Sequence, residues 1–324
     1  MTWESCYRGD GVPRGVKLPE PPPWRTFPRR PLGTAFQPPE GLTDAVNAAL
    51  CLRRPLLVTG APGAGKSTLI ESVAAELQLG RVLRWHVTSR STLAEALYRY
   101  DVLGRIHAQQ LARGSGRSHG SLPRRFYRAS NSAIDIAPFL QLGPLGTALL
   151  PTSRPRALLI DEIDKSDLDL PSDLLDVLER GAFEIPELAR YDRDAVNVRE
   201  WGGDTRHAIV RGQVACTEFP FIVMTSNGER DFPAPFLRRC VRFAMPEPTV
   251  DMTGRIVAAH LGAAAGSQAV ADLVSEFVTR VRTGENLAVD QLLSVVFLLA
   301  GDGAAKGEQR DRIRRLVMRE LSRV

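Results

Sequence analysis

The residues Gly60-Ala61-Pro62-Gly63-Ala64-Gly65-Lys66-Ser67 carry the clearest chemistry in this 324-residue sequence. They match G-x-x-x-x-G-K-[ST] at every position, and Thr68 follows. In such a loop the glycines let backbone N–H groups converge on phosphate oxygens, and the N-terminus of the following helix adds partial positive charge. Lys66 then reaches the β- and γ-phosphates, and Ser67 ligates Mg²⁺. The chemistry implied is the binding of ATP with its magnesium ion.

Three further places supply what a bound triphosphate needs in order to react. Asp161 and Glu162 close the apolar run Ala157-Leu158-Leu159-Ile160. Asp161 is suited to hold the metal, and Glu162, one residue on, to orient and deprotonate an attacking water. That adjacency favours hydrolysis over transfer to a substrate hydroxyl; two solvated acids capping the next helix are the plainer alternative. Asn227 ends a second apolar strand, Phe221 to Ser226, where its amide suits both the γ-phosphate and the lytic water, although asparagine also forms turns. Arg238 and Arg239 precede Val241-Arg242-Phe243, and an arginine there is placed to stabilise transition-state charge across a subunit boundary.

The elements that must position these groups follow from periodicity. Apolar spacing predicts a helix over 43–51 and a buried strand at Leu56-Leu57-Val58 that runs into the loop. Leu69, Ile70, Val73, Ala74 and Leu77 then define one face of a helix. Arg81 to Val87 is another strand, and strands alternating with helices imply a parallel sheet covered on both faces. Residues 104–150 read as a long loop or inserted element, with Gly114-Ser115-Gly116 and Pro123-Arg124-Arg125 as breakers. After Pro246-Glu247-Pro248 the texture is purely helical: 250–261, 269–282, 287–299 and 309–321. The expected division is a Pro-rich arm at 1–41, an α/β nucleotide-binding domain at 42–247 with insertions near 104–150 and 182–217, and a helical lid at 248–324. Trp3, Tyr7, Trp24 and Phe27 are expected to anchor the arm on the domain or on a neighbouring subunit.

Composition narrows the classes. Hydrophobic residues make up 44% and charged residues 24%, as in an ordinary globular protein. The net charge of +5 comes from basic residues interspersed with acidic ones, without a sustained block, so nucleic acid is an unlikely partner. Cys6, Cys51, Cys216 and Cys240 are widely spaced, which argues against a zinc site or a disulfide framework. The start lacks a basic region followed by an apolar run, and no apolar stretch approaches the ~20 residues of a membrane span. A cytoplasmic location is the expectation.

Together, residues 60–68, Leu158 to Glu162, the strand ending at Asn227, the Arg238-Arg239 pair and the helical C-terminal region resemble the AAA+ ATPases. Ile136-Ala137-Pro138-Phe139, Gly143 to Leu149, Ile160 to Ser166, Phe183-Glu184-Ile185-Pro186 and Thr225 to Arg230 resemble the MoxR branch in particular. The resemblance covers about residues 40–300. It implies a ring, usually a hexamer, driven by Mg-ATP, that remodels or matures a partner protein, often beside a von Willebrand factor A protein. It assigns nucleotide and metal binding to Lys66 and Ser67, metal and hydrolysis to Asp161 and Glu162, the first sensor to Asn227 and the finger to Arg239, with Arg238 as rival. The family's second-sensor arginine has no counterpart in Gly284 to Gln291, and Arg280 or Arg282 is the nearby candidate for a substitute. Residues 182–217, with Tyr191 and Trp201, are either a client-contact region or a solvated hairpin. A nucleotide-switched scaffold or sensor of a bacterial signalling or defence system is the alternative, and a nucleic-acid motor ranks last.

Overall fold

The computed structural model describes residues 10–13, 15, 20–27, 36–115, 135–299 and 307–319. Its strands are β1 (Leu56–Thr59), β2 (Leu83–His86), β3 (Tyr98–Tyr100), β4 (Leu140–Leu142), β5 (Ala157–Asp161), β6 (Ala182–Glu184), β7 (Ala195–Arg199), β8 (Arg206–Val210), β9 (Gln213–Ala215), β10 (Phe221–Ser226) and β11 (Val241–Ala244). The helices are α1 (Leu42–Leu52), α2 (Lys66–Glu76), α3 (Leu93–Leu97), α4 (Val102–Ser115), α5 (Pro144–Ala148), α6 (Leu170–Arg180), α7 (Pro186–Ala189), α8 (Ala234–Leu237), α9 (Val250–Leu261), α10 (Gln268–Arg282), α11 (Val289–Leu299) and α12 (Glu308–Val317).

Five strands form an all-parallel sheet in the order β11-β1-β10-β5-β2. Side chains alternate across a strand, so an apolar run feeds two cores. Leu57, Leu158, Ile160, Ile222 and Met224 face one core, whereas Leu56, Val58, Leu159, Phe221 and Val223 face the other, with Leu69, Ile70 and Ala74 of α2. A parallel sheet gathers the C-terminal ends of its strands at one edge, so β1, β5 and β10 deliver the glycine loop, Asp161 and Asn227 to the same place.

A second, mixed sheet runs β3-β4-β7-β8-β9-β6. Of the two readings of residues 104–150, a long loop or an inserted element, the described part fits the second, because it carries α4, β4 and α5, and β4 lies beside β7 of the 182–217 region. Residues 144–149 are buried throughout. Glycine here allows close packing rather than a turn: a Cβ on Gly146 would lie 1.9 Å from the carbonyl oxygen of Leu97. Gly116 and Pro123-Arg124-Arg125 lie outside the described residues.

Helices α9 to α12 enclose a third apolar core around Val257, Phe277, Leu292, Val295 and Val296. Their spans follow the expected periodicity closely, and Leu321 lies outside the described residues. Of the expected arm anchors, Trp24 packs on this lid core, Phe27 is largely exposed, and Trp3 and Tyr7 lie outside the described residues.

Candidate active site

Gly65 is the N-cap of α2 at φ 82°, and Gly63 turns the loop at φ 74°. Both angles are in the left-handed region that a side chain resists. Gly63 also meets the lid: a Cβ there would lie 2.8 Å from the Cβ of Ala288 and 2.9 Å from the nitrogen of Val289. The loop is therefore in direct contact with the start of α11.

Lys66 is 7% exposed, and its ammonium donates to the carbonyls of Gly60 (2.6 Å) and Ala61 (2.8 Å) and to Oδ1 of Asn227 (2.8 Å). Burial pushes its pKa below the ordinary lysine value, while the carboxylates of Asp164, Asp161 and Glu162 pull it back up. Oδ1 of Asp161 accepts from the hydroxyls of Ser67 (2.7 Å) and Thr225 (2.6 Å).

Glu162 sits in the left-handed region at φ 59°, ψ 48°, a conformation costly for a residue with a Cβ. Its N–H is held by Oγ1 of Thr225 at 2.9 Å. Its carboxylate lies 3.5 Å from the Asn227 amide nitrogen, 2.9 Å from Nζ of Lys165 and 3.6 Å from Nε2 of His86. The hydrogen bond to Glu162 raises the Lys165 pKa.

Asn227 is held by its backbone, whose N–H donates to Oδ2 of buried Asp164 at 2.8 Å; the Glu229 N–H donates to the same oxygen at 3.1 Å. Sequence reasoning gave no site role to Thr225, Asp164, Lys165 or His86. For Thr225 and Asp164 a signal was present, a polar side chain inside or just past an apolar strand, but which group each would face depends on β10 lying beside β5.

The structure thus brings Lys66, Ser67, Asp161, Glu162 and Asn227 onto one cleft of about 500 Å³, with Ala61 to Thr68 along its wall. It does not bring Arg239 there. That side chain pairs with Glu179 of α6 and donates to the Pro235 carbonyl at 3.1 Å, and neither Arg238 nor Arg239 is among the described residues lining the cleft. Arg280, one of the suggested second-sensor substitutes, binds Glu285 (2.6 Å) and the Met318 carbonyl (3.1 Å) within the lid; Arg282 does not line the cleft either.

The far end of the cleft is apolar, lined by Ile256, Phe277, Val281, Leu287 and Leu293 of the lid. A polar, phosphate-sized end joined to an apolar slot suits a nucleotide. Among the described residues no helix is long and apolar enough to cross a membrane. A family model described as AAA domain (dynein-related subfamily) matches residues 55–239, more than half of the chain and every site residue named above outside the lid and arm. A search of curated proteins found no match.

Proposed function

We propose, from the premise that this chain belongs to the dynein-related subfamily of AAA domains and is a P-loop ATP hydrolase, that Lys66, Ser67, Asp161, Glu162 and Asn227 carry out the hydrolysis. One observation carries this assignment: Asn227 lies between the Lys66 ammonium and the Glu162 carboxylate, at 2.8 and 3.5 Å. A γ-phosphate held by Lys66 and a water held by Glu162 would then share Asn227 as a common neighbour.

When ATP enters, the Lys66 ammonium exchanges its carbonyl partners at Gly60 and Ala61 for β- and γ-phosphate oxygens. Asn227 and Glu162 orient a water toward the γ-phosphorus, and Glu162 takes its proton as the bond to the β-phosphate oxygen breaks. Products are ADP and inorganic phosphate.

The residues present fit Mg²⁺. Ser67 and Asp161 offer two hard oxygen donors 2.7 Å apart, which would hold the ion beside the phosphates. Bound there, Mg²⁺ would offset phosphate charge.

The finer reading is a MoxR-like ring, a hexamer by resemblance, in which Arg239 completes a neighbour's site and turnover remodels a partner protein, a von Willebrand factor A protein being one candidate. Arg239 is not among the described residues lining its own cleft and its side chain is 39% exposed, which supports a role between subunits. The ion pair between Lys165 and the Glu162 carboxylate favours a second reading, a slow, nucleotide-switched scaffold. Measuring ATP turnover and nucleotide-dependent assembly of the same preparation tests both. Fast turnover in an assembled species favours the machine, assembly with negligible turnover favours the switch, and a monomer that hydrolyses ATP at full rate overturns the ring.

A further inference from the structure

The arm before the matched domain touches both sides of the cleft. Trp24 sits in a short 3-10 turn, Pro23–Arg25, with its ring edge-on to His260 of α9 (centroids 6.4 Å apart) and Phe297 of α11 (5.9 Å). Twelve residues later Phe36 packs on the glycine loop, 3.3 Å from where a Cβ on Gly65 would stand. Trp24, Arg25, Phe36 and Gln37 all line the cleft that Lys66 and Asp161 line.

The charges of this cleft make the arm's contribution specific. Its described lining carries the carboxylates of Asp161, Glu162 and Asp290, against the cations of Lys66 and Arg25. A nucleoside triphosphate adds several negative charges to that set. Among the described residues lining the cleft the lid contributes Asp290 and no arginine, and the strong cation beside Lys66 is Arg25 of the arm. Among the described lining residues, the apolar end gains from Trp24 an indole beside the aliphatic side chains, Phe277 and the His260 imidazole, and an aromatic ring beside a heterocyclic base is a favourable wall.

We propose that residues 24 and 25 of the N-terminal arm are part of the nucleotide site, Trp24 walling the base and Arg25 supplying a second cation beside Lys66. This rests on the cleft being the ATP site. The arm, fastened at Phe36 to the glycine loop and at Trp24 to the lid, then links the position of the lid to the presence of nucleotide.

The test is equilibrium binding of ADP, ATP and inorganic tripolyphosphate to the full chain by calorimetry, with Lys66→Ala as comparator. Trp24→Ala should weaken ADP by roughly tenfold or more, the range of a lost base–aromatic contact. It should leave tripolyphosphate unchanged, which places the loss at the base end, and Trp24→Phe should recover most of the affinity; a melting temperature without nucleotide that stays near the parent value separates a lost base contact from a loosened lid. Arg25 is exposed. Arg25→Ala should therefore weaken ATP severalfold while the melting temperature without nucleotide stays at the parent value. If Lys66→Ala loses binding but Trp24→Ala and Arg25→Ala stay within twofold of the parent, the proposal is overturned alone. Tighter binding by Trp24→Ala also overturns it, since the arm would then cover the slot. A parent chain that binds neither ADP nor ATP overturns this proposal and the ATP-site assignment together.

Discussion

At the phosphate end of the cleft, bonds of 2.6 to 2.8 Å join Lys66 to Asn227, and Ser67 and Thr225 to Asp161. At the lid end, Ile256, Phe277, Val281 and Leu293 offer only apolar surface, backed by a core of their own. The first end is fixed by directional contacts among groups rooted in one sheet. The second is fixed by packing between segments far apart in sequence, the arm at Trp24 and helices α9 to α11. Preorganised polar groups suit the reacting phosphate, where position decides rate. An apolar slot suits the base, where burial decides affinity.

Glu162→Gln should change the comparison most. It removes the base while keeping shape, so ATP hydrolysis should fall by up to about 10⁴-fold with ADP affinity nearly unchanged. Phosphate release and calorimetry on one preparation check this, and unimpaired turnover would sink the role given to Glu162. Arg239→Ala should lower turnover by about 10³-fold if the residue completes a neighbour's site. Mixing that variant with Lys66→Ala should restore part of the activity, and no recovery at any ratio would place the finger elsewhere.

Thr225→Val probes the polar network without touching substrate. The buried hydroxyl donates to Asp161 and accepts from the Glu162 N–H, so its loss leaves a backbone donor unpaired. A cost of about 1–3 kcal/mol, the range for an unsatisfied buried group, should appear as lost folding stability in a denaturant titration. An unchanged stability would show that the network tolerates the gap. Lys165→Ala should have the smallest effect. Its pair with Glu162 is partly exposed and worth at most about 1 kcal/mol, so freeing the carboxylate should raise basal turnover by about two- to threefold. A fall in turnover instead would mean that Lys165 positions the base rather than restraining it.

Asp161, Glu162 and Asn227 are readable in the sequence because each stands at the end of an apolar run, so the strand that carries it announces it. The lid helices were readable for a similar reason, as their 3.6-residue periodicity is local. The 136–150 region was not, because its glycines and prolines look like loop residues until Leu97 is seen packing against Gly146. The roles of Asp164 and Thr225 were equally hidden: buried acid and hydroxyl groups take their meaning from the partner they face.

The sequence by itself determined the glycine loop, the strand-end acids and the alternation of strand and helix, since these are written in contiguous residues with short-range stereochemistry. Only the tertiary structure decided that β5 and β10 would lie side by side, so that Thr225 bonds Asp161 and Asn227 meets Lys66. It also decided that an arm residue, Trp24, would reach helices more than 230 positions away, and that Arg239 would pair with Glu179. Such pairings rest on the burial of whole sheets and helix faces, which no local pattern encodes.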